Sequence, residues 1–154
     1  MIVKVLLVCL VNICLSPLAE GILKSKVDIS KVFVDSAGTG SWLVGELPDK
    51  RSIYVARKNG IDISNQRGRQ FSGKDFHNFD KIYVMDNSNM RDVLGLCPRS
   101  DLKNKVQLIL DELFPNDNVD VPDPYYGGHS GFEHVLDLIE DASEGLLAEI
   151  KTRL

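Results

Sequence analysis

Val3-Lys4-Val5-Leu6-Leu7-Val8 runs directly into Cys9-Leu10-Val11-Asn12-Ile13-Cys14-Leu15 and then into Ser16-Pro17. The first segment is aliphatic, rich in valine and interrupted only by Lys4, the pattern of a central parallel strand covered on both faces. Ser16 offers an N-cap. Pro17 then stands at a first helical position, where its missing N–H costs nothing. Leu18 to Lys26 carries good helix formers. In parallel sheets ligands bind beyond the carboxyl ends of the strands, where loops lead into helices. The loop from Cys9 to Ser16 is therefore the first candidate for a site.

The same alternation continues along the chain. Val32-Phe33-Val34 reads as a second strand running into Ser36-Ala37-Gly38-Thr39-Gly40. Asp49 to Asn59 has a helical pattern that stops at Gly60, a C′ glycine. Lys81 to Met85 is a third strand, and Asp86-Asn87-Ser88-Asn89 can cap a short helix. Val106 to Leu110 is a fourth strand candidate, although a helix fits it almost as well. Phe132, Val135, Leu136, Ile139, Ala142, Leu146, Leu147 and Ile150 form one apolar stripe at helical period. The expected fold is α/β: a single domain over 1–154 with a four-stranded parallel sheet and helices on both faces.

The 154 residues are 44% hydrophobic and 26% charged, values of a globular chain, and the net charge of -4 argues against a general nucleic-acid or anionic-membrane binder. The apolar opening, MIVKVLLVCLVNICL, is broken at Asn12 and Ser16, too short for a bilayer span and without a clean cleavage site. Cys9, Cys14 and Cys97 do not make a disulfide framework. The expectation is a cytoplasmic protein with reduced thiols. His77, His129 and His134 lack metal-ligand spacing, and the nucleotide motif G-x-x-x-x-G-K-[ST] is absent.

A thiol at the start of such a loop, facing a helix N-terminus, is placed to ionise, and the same N–H groups suit a bound oxyanion. A thiolate under an oxyanion is arranged for nucleophilic attack on phosphorus. Read alone the signal is weak, and a buried thiol closing a core strand is the commoner reading of Cys9.

The loop resembles the signature of the low-molecular-weight protein tyrosine phosphatases, C-x-G-N-x-C-R-S-P, with Cys9, Asn12, Cys14, Ser16 and Pro17 matching. Asp123-Pro124-Tyr125-Tyr126 is similar to the family's D-P-Y-Y. Asp35-Ser36-Ala37-Gly38-Thr39 and Met85-Asp86-Asn87-Ser88-Asn89 resemble its D-S-A-G-T and M-D-x-x-N segments. The resemblance implies hydrolysis of phosphotyrosine or small aryl phosphates through a phosphocysteine, without metal or cofactor. Cys9 would be the nucleophile and Asp123 the general acid, later activating water. Ser16 would stabilise the thiolate. Leu10, Val11, Asn12, Ile13 and Cys14 would cradle the phosphate, with Asn12 and Ser36 holding the loop in shape. Trp42, Tyr125 and Tyr126 would wall the cleft. Inorganic phosphate or sulfate is an expected alternative occupant, and the chain an expected monomer or weak dimer. In this family the Cys9 and Cys14 positions can form a reversible disulfide; a small buried thiol explains Cys14 as well.

Two loop positions depart from the signature. Leu15 stands at the arginine position, where a guanidinium would grip two phosphate oxygens and support the thiolate. Val11 stands at the glycine; a positive φ there would cost about 1–3 kcal/mol. Gln66 replaces a frequent histidine, and Leu43 follows Trp42 where a polar residue is common. One reading is a phosphatase impaired by Leu15. Another is a pseudophosphatase that binds phosphotyrosine or regulates without turnover. Arsenate reduction by a cysteine relay would need further clustered thiols, and Cys97 stands alone.

Overall fold

The computed structural model describes residues 2–124 and 128–154, with backbone alone for 128–130. Tyr125 and Tyr126 lie outside the described residues. Four strands, β1 (Val3–Cys9), β2 (Val32–Gly38), β3 (Lys81–Val84) and β4 (Val106–Leu108), form a fully parallel sheet in the order β2-β1-β3-β4. The helices are α1 (Leu15–Lys26), α2 (Lys50–Lys58), α3 (Asp75–Asn78), α4 (Asn87–Gly95) and α5 (Gly128–Lys151). Two 3₁₀ segments, Ser100–Lys105 and Ile109–Glu112, flank β4.

The period-two geometry of β1 sorts its side chains between two cores. Val3, Val5, Leu7 and Cys9 join α1, α2 and α5 on one face, while Leu6 and Val8 join Phe76 of α3 and Val93 of α4 on the other. Removing such a side chain from water contributes about 1.5–3 kcal/mol. That double burial is why the segment reads as unbroken hydrophobics.

The topology also locates the site. The chain leaves β1 for β2 on one side, then returns across β1 to build β3 and β4 on the other. The direction therefore reverses between β1 and β3, and a crevice opens beyond their carboxyl ends.

Local signals explain most boundaries. Asp49 caps α2 by accepting from Arg51 N at 2.8 Å, and Gly60 takes the positive φ of +78° just past the helix end. Asp86 caps α4 by accepting from Asn89 N at 2.7 Å. At the far end of the molecule, Lys81 Nζ donates to Glu149 Oε1 at 2.8 Å and Tyr83 Oη to Oε2 at 3.2 Å, tying α5 to β3. The Lys81 ammonium holds the Glu149 carboxyl below the usual range, and burial pushes the Tyr83 phenol up.

Three expectations need correction. Ser16 is not the N-cap of α1: the helix starts at Leu15, with Cys14 as an N-cap whose side chain does not cap the helix. The Ser16 hydroxyl is instead drawn to the loop. The fourth strand ends at Leu108, and Ile109-Leu110 begins a 3₁₀ turn. The left-handed residue of the β1–α1 loop is Asn12, with φ of 59°, rather than Val11. Asparagine tolerates that region far better than a β-branched residue, so the strain expected at Val11 does not arise.

Gly38 is required by close approach. A Cβ there would lie 2.8 Å from Leu10 O, 2.9 Å from Val11 C and 3.0 Å from Asn12 N. Those atoms are backbone and cannot swing aside. Gly38→Ala is expected to destabilise the protein by about 1–3 kcal/mol, the usual cost of overpacking, read as a lower midpoint in denaturant unfolding.

Candidate active site

The loop after β1 wraps the Cys9 sulfur. Because Asn12 is left-handed, its N–H points back and donates to Cys9 Sγ at 3.2 Å. Ser16, in the first turn of α1, brings its Oγ to 2.9 Å from the same sulfur. Cys9 is 5% exposed and lines a cleft of about 200 Å³ with Leu10, Val11, Cys14, Leu15, Asp86, Asn89, Val121, Asp123 and Pro124. The thiol thus sits at the edge of the core with its sulfur on the polar loop.

Asn12 is the keystone behind the loop. Its Nδ2 donates to Ser16 Oγ at 2.8 Å and to Ser36 Oγ at 3.0 Å, and its Oδ1 accepts from Arg69 N at 3.0 Å. Ser36 Oγ donates in turn to Glu20 Oε1 at 2.6 Å, and Lys24 Nζ pairs with Glu20 Oε2 at 2.6 Å. Asn12, Ser16, Ser36 and Glu20 are all buried. Arg69 is anchored by a two-pronged pair with Asp75 and a further bond to Asp35. Its own N–H therefore has a fixed place from which to hold Asn12.

Asp123 reaches the cleft from the opposite wall. Val121 N donates to Met85 O at 2.9 Å, hooking this segment onto the end of β3. Pro122 and Pro124 then fix φ on either side of Asp123 and restrict the residues before them. Pro124 is buried, and a Cβ at Gly131 of α5 would come within 2.6 Å of its carbonyl oxygen. An exposed carboxylate is thereby held on a braced backbone.

The other expected residues divide. Leu10, Val11 and Cys14 line the cleft with Cys9 and Asp123. Ile13 packs its side chain inward against the core, and its carbonyl accepts from Asp49 N at 2.7 Å. Ser36 does not line the cleft; it lies behind the loop. Trp42 is 65% exposed, and its ring covers Gly40, outside the cleft lining. Gln66 gives its amide to Pro17 O at 3.1 Å and makes no bond to Asn12. Leu15, the first residue of α1, packs one side on the core cluster and turns another to the cleft. No disulfide joins Cys9 and Cys14. Among the described residues that line the cleft there is no lysine or arginine, while Asp86 and Asp123 both contribute carboxylates.

Sequence reasoning missed Glu20, Arg69 and the cleft position of Asn89. Glu20 had a signal: it follows Ser16 by one helical turn, on the same face of α1. Arg69 had none, since its hold on Asn12 uses the backbone N–H.

A sequence model described as low molecular weight phosphotyrosine protein phosphatase matches residues 4–154. The chain belongs to that family. A putative low molecular weight protein-tyrosine-phosphatase of Synechocystis is 44% identical over 98% of both chains. The crystal structure of a protein tyrosine phosphatase from Entamoeba histolytica, with Hepes in the active site, superposes with a TM-score of 0.89 at 38% identity over 97% of both chains. Vibrio vulnificus Wzb in complex with benzylphosphonate aligns with a TM-score of 0.83 at 29% identity over 99% of both. The parallel four-stranded α/β architecture expected from the sequence is thus the fold of a protein tyrosine phosphatase family. No helix among the described residues is long and apolar enough to cross a membrane.

Proposed function

We propose that this chain hydrolyses phosphotyrosine and other aryl phosphate monoesters through a phosphocysteine, at a rate strongly reduced by Leu15. The carrying observation is one sulfur with two polar groups turned to it, Asn12 N at 3.2 Å and Ser16 Oγ at 2.9 Å, in a cleft shared with Asp123.

In the first step the Cys9 thiolate attacks phosphorus. The S–P bond forms as the bond from phosphorus to the aryl oxygen breaks, and the Asp123 carboxyl gives its proton to that oxygen. In the second step the Asp123 carboxylate takes a proton from water, whose oxygen attacks the phosphocysteine and releases phosphate and the thiolate. Amides of the loop and the N-terminus of α1 face the equatorial oxygens. Benzylphosphonate, held by the Wzb relative, has the outline of an aryl phosphate. A phosphotyrosine-bearing protein or a small aryl phosphate is the substrate class, with phosphate or sulfate as competing occupants. The residues carried over are Cys9, Asp123, Ser16 and the loop from Leu10 to Cys14, with Leu15 at the arginine position. Tyr125, Tyr126 and the exposed Trp42 are the proposed aromatic rim.

A specific observation favours a second reading as a binding or regulatory protein. The cleft offers carboxylates and apolar walls but no described cation to hold a dianion. Turnover decides between the two. Slow aryl phosphate hydrolysis that disappears in Cys9→Ser is expected for the enzyme; activity unchanged in Cys9→Ser would remove the phosphocysteine mechanism.

A further inference from the structure

We propose that Glu20 is a positioning residue for the Cys9 sulfur, fixing the direction of every proton in the buried chain Glu20–Ser36–Asn12–Ser16. The inference rests on Cys9 being the reactive group but not on turnover.

A carboxylate only accepts hydrogen bonds. Glu20 is 4% exposed, and Lys24 occupies its Oε2 at 2.6 Å, the pairing of an ionised carboxylate. Ser36 must therefore give its single proton to Glu20 Oε1, at 2.6 Å. With that proton spent, Ser36 Oγ can serve Asn12 only as an acceptor, and it takes Asn12 Nδ2 at 3.0 Å. This fixes the Asn12 amide with nitrogen towards both serines, an orientation matched on its other side by Arg69 N donating to Oδ1 at 3.0 Å. Ser16 Oγ then also accepts from Nδ2, at 2.8 Å, and keeps its own proton to give. Two acceptors are in reach: the Cys9 sulfur at 2.9 Å and Ala37 O at 3.5 Å. The sulfur is by far the better placed, and more so when charged. An acceptor at one end of the chain thus commits a donor at the other.

Glutamine at position 20 breaks the order. Lys24 would claim the amide oxygen, leaving the amide nitrogen towards Ser36, whose proton must then seek the Asn12 side chain. Reversal of Asn12 would draw the Ser16 proton off the sulfur.

The experiment measures the rate at which iodoacetamide alkylates Cys9 against pH, site by site by peptide mass spectrometry, with Cys97 as internal reference. In Glu20→Gln the Cys9 rate at neutral pH is expected to fall roughly tenfold, the worth of one charge-assisted hydrogen bond. The Cys97 rate stays the same, and the Cys9 rates of variant and parent converge at high pH. A pocket that had merely lost access would be slower at every pH. Because Glu20 acts only through Ser16, Glu20→Gln should add nothing on a Ser16→Ala background. If Glu20→Gln fails to fold, Ser36→Ala cuts the same chain and must show the same non-additivity with Ser16→Ala. Equal rates in variant and parent, a deficit that persists at high pH, or fully multiplicative effects would each overturn the proposal. Each outcome is read at the sulfur, so it stands apart from whether the chain hydrolyses anything.

Discussion

Leu15→Arg is expected to raise kcat/KM for an aryl phosphate by roughly 10³ to 10⁵, the range that arginines meeting a transferring phosphoryl group supply elsewhere. The position is ready for it. Leu15 opens α1 on the rim shared with Cys9, and its side chain already rests partly on the core cluster. An arginine stem can lie along that apolar surface while its head group reaches the cleft. Nothing described in the cleft takes over the missing charge, and the Asp86 side chain, which caps α4 through Asn89 N, brings no cation to a dianion. The guanidinium serves both the bound dianion and the charge spread over the equatorial oxygens, so KM should fall and kcat should rise together. The measurement is a steady-state comparison of parent, Leu15→Arg and Leu15→Arg/Cys9→Ser. A large gain that the cysteine substitution removes makes this an enzyme lacking one part. An inert revertant with its loop intact would instead support the binding reading.

Most of the fold was legible because its strongest elements announce themselves locally. Val3 to Val8 is buried on both faces and so reads as a parallel strand; the stripe from Phe132 to Ile150 is one face of a long helix; Asp86 and Gly60 are caps of the expected kind. What failed to read was set by tertiary context. Ser16-Pro17 has the chemistry of a helix start, but the hydroxyl of Ser16 is more valuable to the loop, and α1 begins two residues earlier, at Leu15. Val106 to Leu110 has β-branched and leucine residues suited to strand or helix, and the sheet needs only its first part. The loop's left-handed turn falls on Asn12, because that conformation aims its N–H at the sulfur while its side chain spans both serines. A pattern of residue types pointed to the loop in which Cys9 meets Asn12 N and Ser16 Oγ. The partners behind it, Glu20 and Arg69, became visible only once helix α1 and the segment before α3 were packed against it.

Asp123 supplies the second large effect, best read on the Leu15→Arg background, where turnover is fast enough to resolve. Asp123→Asn is expected to lower kcat by roughly 10² to 10⁴ for a phenyl phosphate, the usual worth of a positioned general acid. The substitution keeps size and shape on a backbone already braced by Pro122, Pro124 and the bond from Val121 N to Met85 O, so the fold should not move. The dependence on leaving group is the sharper test. A phenolate of high basicity cannot depart from phosphorus without a proton, whereas 4-nitrophenolate departs readily on its own. The loss should therefore shrink as the leaving phenol becomes more acidic, and a plot of log kcat against leaving-group pKa should be steeper in the variant than in its parent. If the rate-limiting step for good leaving groups is hydrolysis of the phosphocysteine, those substrates should converge on one reduced kcat, because Asp123 must then take a proton from water. Equal losses for every phenol in the first step would mean that Asp123 only shapes the cleft wall, and the proton would have to come from elsewhere.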